Sequence, residues 1–132
     1  MMFLAALLVA APALQAQTGP LTARQVGAIF GDLADDPPPA RLSPGQRAAW
    51  IDHSSWLQAY AQRLHFHAVQ RDRTLASVGR RARATGRLAT LDREMRTIRQ
   101  MIENDGRRYR TLPGVARARH DAAMSAVRNM RG

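Results

Sequence analysis

Four histidines are the first groups in this chain to test for chemistry: His53, His65, His67 and His120. His65-Phe66-His67 reads as a metal-binding fragment only at first sight. On a helix, residues two apart diverge by about 200°, so this pair does not chelate one ion. His53 and His120 have no metal-ligating partner at i+3 or i+4. All four therefore read as surface or partly packed imidazoles. Acid–base catalysis needs two carboxylates in a sheltered cleft, but most of the acids neighbour Arg or lie in turns. Ser54-Ser55 has no nucleophile context, and the chain has neither a Gly-x-Ser-x-Gly elbow nor a Gly-rich phosphate loop. With no cysteine, disulfides, thiolate metal sites and a thiol nucleophile are excluded. The sequence assigns no catalytic, cofactor-binding or metal residue, and a non-enzymatic protein is expected.

Arginine is the residue type left to carry function. All 20 basic residues are Arg and none is Lys, against 10 acidic residues, a formal charge of +10. Residues 1–60 carry three Arg against four Asp; residues 61–132 carry 17 Arg against six acids, a net +11. A field this one-sided attracts anionic partners. The planar guanidinium fork suits carboxylate, phosphate or aromatic groups. Two clusters stand out as candidate binding residues: Arg80, Arg81 and Arg83, and Arg107, Arg108 and Arg110. Tyr109, inside the second cluster, is placed to stack on a base. Solvated turn residues, with Arg favoured by GC-rich codons, are the plainer explanation of both.

Helices must position these groups, because no strand-like alternation occurs. Thr22 caps a short helix with Val26, Ile29, Phe30 and Leu33 on one stripe. Asp35-Asp36-Pro37-Pro38-Pro39 ends it. Ser43-Pro44-Gly45-Gln46 forms a capping box for a long helix reaching about Val78. Its seam is Trp50, Leu57, Ala61, Leu64, Ala68, Leu75 and Val78, with Trp56, Tyr60 and His67 on a neighbouring stripe. Gly79 and Gly86 mark either a turn or a weak point in one very long helix, and the turn is favoured. Ala84, Leu88, Leu91, Met95, Ile98 and Ile102 keep a 4-3-4-3-4 spacing, a coiled-coil-like seam. Asp92 with Arg96 and Arg99 with Glu103 are expected i,i+4 pairs. Asn104-Asp105-Gly106 is expected to stop this helix, with the glycine at C′. Pro113-Gly114 opens a last helix with Val115, Ala116, Ala123, Val127 and Met130 on its apolar side. The seven aromatics crowd the first half, with Tyr109 alone in the second, so a thin core is expected there. The fold expected is all-α: a small elongated bundle or hairpin of about four helices.

Met1–Ala16, MMFLAALLVAAPALQA, has no charge and is apolar or Pro from Met2 to Leu14. It is short for a bilayer span and has the length of a signal-peptide core followed by small residues. A buried N-terminal helix or a short anchor is the alternative. The expected organisation is a signal peptide at 1–16, a short helix and proline-rich linker at 17–40, and an arginine-rich helical domain at 41–132. The expected location is the periplasm or outside the cell.

Leu21-Thr22-Ala23-Arg24-Gln25 fits an LTxxQ pattern, and Leu42-Ser43-Pro44-Gly45-Gln46 is a near match with Ser for Thr. In these motifs the chain resembles the periplasmic LTxxQ-motif family, the Spy and CpxP type of stress chaperones and envelope-stress regulators. The resemblance implies a thin, curved helical homodimer whose basic concave face holds unfolded clients without ATP. The two motifs stand only 21 residues apart, closer than that family places them. Expected partners are unfolded or acidic protein clients, or an envelope protein complex in which the chain is an accessory subunit. Nucleic acid ranks last, because it conflicts with export.

Overall fold

The computed structural model describes residues 20–77 and 82–130. They form four α-helices: α1 (Ala23–Asp35), α2 (Pro44–Ser77), α3 (Ala82–Gly106) and α4 (Gly114–Arg128), with a 3-10 turn at Arg107–Tyr109. Among the described residues there is no strand; one isolated parallel bridge joins Leu21 to Met130. The leader 1–16 and residues Val78–Arg81 lie outside the described residues. None of the described helices is long and apolar enough to cross a membrane.

The first two helices start where their local chemistry demands. At α1, Thr22 Oγ1 accepts from the Gln25 amide at 3.2 Å, and Gln25 Oε1 accepts from the Thr22 amide at 2.8 Å. At α2, Ser43 and Gln46 repeat this box at 3.2 and 2.9 Å. Both boxes satisfy amides that a helix N-terminus leaves open. Val26, Gly27 and Phe30 are the buried face of α1. Gly27 permits the close approach, since a Cβ there would meet the Ala61 carbonyl and Leu64 Cβ at 3.3 Å.

The long helix α2, about 51 Å at 1.5 Å per residue, is the spine. Trp50, Leu57, Ala61, Leu64 and Ala68 are buried as its seam predicts, and Trp56, Tyr60 and His67 are buried beside them. The seam then runs out: Leu75 is 45% exposed. Helix α3 returns antiparallel along α2. Tyr60 meets Asp105, Arg63 meets Met101, and His67 meets Leu91. Leu91, Met95 and Ile102 are buried, with Leu88 and Ile98 half-buried.

Four local expectations are corrected. Two separate helices, α2 and α3, flank the turn favoured at 79–86, but its extent is narrower: the chain is helical from Ala82, and Gly86 sits inside α3 with open space around it. Gly106 is not a left-handed cap: its φ is −65°, and it runs into the 3-10 turn. It serves packing, because a Cβ would meet Met124 Sδ at 3.1 Å and His120 Cε1 at 3.3 Å. Asp92 pairs with Arg71 across helices at 3.4 Å rather than with Arg96. Val115, expected on the inner face of α4, is 66% exposed. Gly114 is the residue with a left-handed φ, +56°, where the chain enters α4.

Candidate binding surface

Of the six candidate arginines, three have described side chains. Arg80 and Arg81 lie outside the described residues, and for Arg83 only the backbone, in the first turn of α3, is described. Arg107, Arg108 and Arg110 are exposed around the 3-10 turn. Arg108 is largely committed to its own chain. Its guanidinium lies 4.7 Å from the Tyr109 ring centroid, hydrogen-bonds the Tyr109 hydroxyl, and reaches Asp52 Oδ2 at 3.3 Å. Tyr109 also donates to Asp52 Oδ2 at 2.7 Å. Only 3% of Tyr109 is exposed, so its ring is closed to base stacking, contrary to the expectation from sequence. Burial raises the Tyr109 hydroxyl above its ordinary range, and the bond to Tyr109 raises Arg108.

Tyr109 is also not alone. It belongs to an aromatic cluster around Trp56, whose ring centroid lies 5.9 Å from Phe30, 5.5 Å from both His53 and Tyr60, 5.2 Å from Tyr109 and 5.8 Å from His120. At its centre His53 Nε2 meets His120 Nδ1 at 3.1 Å. Both imidazoles are buried, against the expectation of surface or partly packed rings. Burial, reinforced by Arg119, pushes His53 down to about 3, and burial lowers His120 as well. Two neutral rings sharing one proton satisfy this geometry. The pair is enclosed, with His53 0% and His120 3% exposed. Tyr60 is raised to about 12 by burial and by its hydrogen bond to Asp105.

Arg119 was not singled out by sequence reasoning, yet it is the most enclosed arginine described, 5% exposed. Its guanidinium stacks 3.6 Å from the Trp50 ring centroid. It donates to the Leu33 carbonyl at 3.2 Å, the Trp50 carbonyl at 2.9 Å and Ser54 Oγ at 2.9 Å. One side chain thus ties α1, α2 and α4 together. Desolvation lowers it to about 10, which leaves it charged at neutral pH. The signal for Arg119 and His120 was the α4 stripe itself: Ala116, Arg119/His120, Ala123 and Val127 share one face.

Two grooves open on the surface. One, about 400 Å³, lies between α2 and α3 and is lined by Arg63, Phe66, Leu91, Arg93, Glu94 and Ile98 among others. It continues past Arg87. Phe66 stands at its edge, 67% exposed. The second, about 460 Å³, lies where the proline linker and α2 meet the start of α4, between Leu42, Trp50, Leu112 and Val115, with Arg41 at its rim. Among the described residues, no group of three or more His, Asp or Glu is placed to hold a metal ion. No family model, curated protein or solved structure matches this chain.

Proposed function

We propose that this chain is a non-enzymatic, chaperone-like binding protein of the periplasm or cell exterior that holds unfolded or acidic protein clients on an arginine-bearing helical surface. The observation that carries this reading is the α2–α3 groove, where an exposed phenylalanine stands among arginines on a preformed helical pair. Apolar contact gives affinity with little sequence demand, and the surrounding charge draws anionic chains and keeps the complex soluble. The uncharged, apolar leader supports the location. The LTxxQ resemblance supports the same class, although its Thr22, Gln25, Ser43 and Gln46 act as helix caps in this fold.

The test is suppression of aggregation of an unrelated denatured protein, at low salt and at about 0.5 M, where the Debye length contracts to about 4 Å. Suppression that weakens with salt is expected. No suppression at either salt would overturn the proposal. Stable co-purification of one envelope protein would then favour an accessory subunit, and salt-dependent binding to any DNA a nucleic-acid role.

A further inference from the structure

We infer that the α2–α3 groove is a docking site for one large apolar side chain carried by a protein segment with acidic residues on either side. This rests on the client-binding reading above and names the client feature that the site takes.

Three observations converge. First, Phe66 is 67% exposed although Leu64, His67 and Ala68 around it are buried. A lone exposed apolar residue is ordinary, but this one borders a concavity with Leu91 and Ile98 in its lining. Second, the groove is already formed. The His67 imidazole bonds the Leu91 carbonyl at 2.7 Å, and Arg71 meets Asp92 at 3.4 Å, which together set the spacing of α2 and α3 there. A pre-set groove spares the bound state part of its ordering cost.

Third, the charge around the groove is not matched from within. Arg63, Arg87 and Arg93 line it against a single carboxylate, Glu94. All ten acidic side chains of the chain lie among the described residues. Among those residues, none of the three arginines forms an ion pair. Among the described residues, Arg63 hydrogen-bonds Met101 Sδ and lies over the Tyr60 ring, and Arg93 hydrogen-bonds Thr90 Oγ1. Their complement is therefore an external anion, and a guanidinium fork receives a carboxylate on two bonds.

The experiment is fluorescence anisotropy on the full chain. The probe is a short labelled peptide with a central Phe flanked by Glu; one control has Gln flanks and another has Ala for Phe. The Glu-flanked peptide should bind at least about tenfold tighter than either control at low salt. Phe66→Asp, and separately the Arg87→Gln/Arg93→Gln pair, should each weaken it about tenfold or more. Val115→Asp, at the other groove, should leave it unchanged. Circular dichroism confirms that the variants fold, and Phe66→Ser replaces Phe66→Asp if that one does not. Equal binding of the three peptides, or variants binding like the parent, would overturn the assignment. So would single-stranded DNA binding tighter than the peptide and lost in the same variants. Peptide binding by a parent that suppresses no aggregation would keep the docking site and overturn the chaperone reading. Aggregation suppression with no difference among the peptides would do the reverse.

Discussion

The two halves of α2 are built from different material and meet different neighbours. From Trp50 to Leu64 the helix carries two tryptophans, a tyrosine and a buried histidine, and α1, α4 and the 3-10 turn enclose it. From Phe66 to Ser77 it packs on α3, whose seam is leucine, methionine and isoleucine, and meets the start of α1 through the Arg24–Asp72 pair, while both Phe66 and Leu75 remain exposed. Large rings fill volume around a helix from several directions. That enclosure also shelters polar groups: Arg119 donates to three oxygens and His53 meets His120 within it, although His53 Nδ1, Trp56 Nε1 and Arg119 Nε are left without a partner. A seam of unbranched and branched aliphatics closes a single contact line and leaves open shoulders, and the α2–α3 groove is one such shoulder. The ring-enclosed end and the open, grooved end are thus separated along one helix.

The largest effect tests whether the aliphatic seam is a core at all. Met95 is 4% exposed inside the main cluster. Met95→Asp buries a carboxylate without a partner, which costs about 4 kcal/mol or more. Loss of the cooperative thermal transition by circular dichroism is expected. A variant that melts like the parent would show that α3 rests on the surface of the aromatic end without being part of its core.

The next substitutions compare the two regions directly. Trp56→Ala should cost about 3–5 kcal/mol and Leu91→Ala about 2–3 kcal/mol in urea titration. Trp56 contacts rings from α1, α2, α4 and the 3-10 turn, and the hole it leaves has many walls. Leu91 lines an open groove that relaxes more easily. Equal costs would remove the distinction between the halves.

Acid should act on the aromatic end. His53 is held near 3 in the fold, against about 6.5 unfolded, by burial and by Arg119. Between these values the unfolded chain binds the extra proton, so stability is complete above pH 6.5 and falls as pH drops through the window. At pH 4.5 the loss is about 2–3 kcal/mol. His120, lowered by the same burial, adds in the same direction. Asp52 and Asp121 work against the shift; Arg119, Arg117 and Arg110 work with it. The check is the urea midpoint at pH 7.5 and 4.5 for parent and His53→Gln. The variant should be less stable at pH 7.5 but show a flatter slope. Parallel slopes would mean that carboxylates, not the imidazole pair, carry the acid response.

Local patterns reveal the helices of this chain, while its buried polar contacts depend on residues far away in sequence. Both capping boxes, the proline stop after Asp36 and most of the two seams follow from neighbours within four residues. Arg119 finds its partners 65 to 86 residues away, and His120 meets His53 across 67. No local rule brings those positions together. Tyr109 looked isolated for the same reason: its companions are on α2 and α4. Gly106 followed the pattern of a helix cap, but the approach of α4 decided its role. The groove was hidden because Phe66 counts as one more apolar residue until the register of α3 shows what stands opposite it. The arginine clusters were visible as composition, but their division into committed Arg108 and outward Arg107 and Arg110 depends on Asp52 and Tyr109.

The smallest effect bears on the two motifs that carried the family resemblance, one at each region's threshold. Thr22 and Ser43 each accept from the amide three residues on, and removing such an acceptor costs about 1 kcal/mol. The two losses should differ. Helix α1 has 13 residues, and the residue before its cap, Leu21, is 3% exposed and donates to the Asn129 carbonyl at 2.8 Å. Fraying at Thr22 therefore loosens α1 from α4, and Thr22→Ala should cost close to the full amount. The first turn of α2 is exposed from Pro44 to Ala48. It can fray without disturbing Trp50, so Ser43→Ala should cost about half as much. Urea midpoints of the two variants measure this. Aggregation suppression measured alongside decides what the motifs are for. As caps, Gln25→Ala and Gln46→Ala should change client holding only as far as they change stability. A Gln46→Ala variant of parental stability that no longer holds clients would make the motif a contact surface, and would move the binding end of the molecule from the α2–α3 groove to the start of α2.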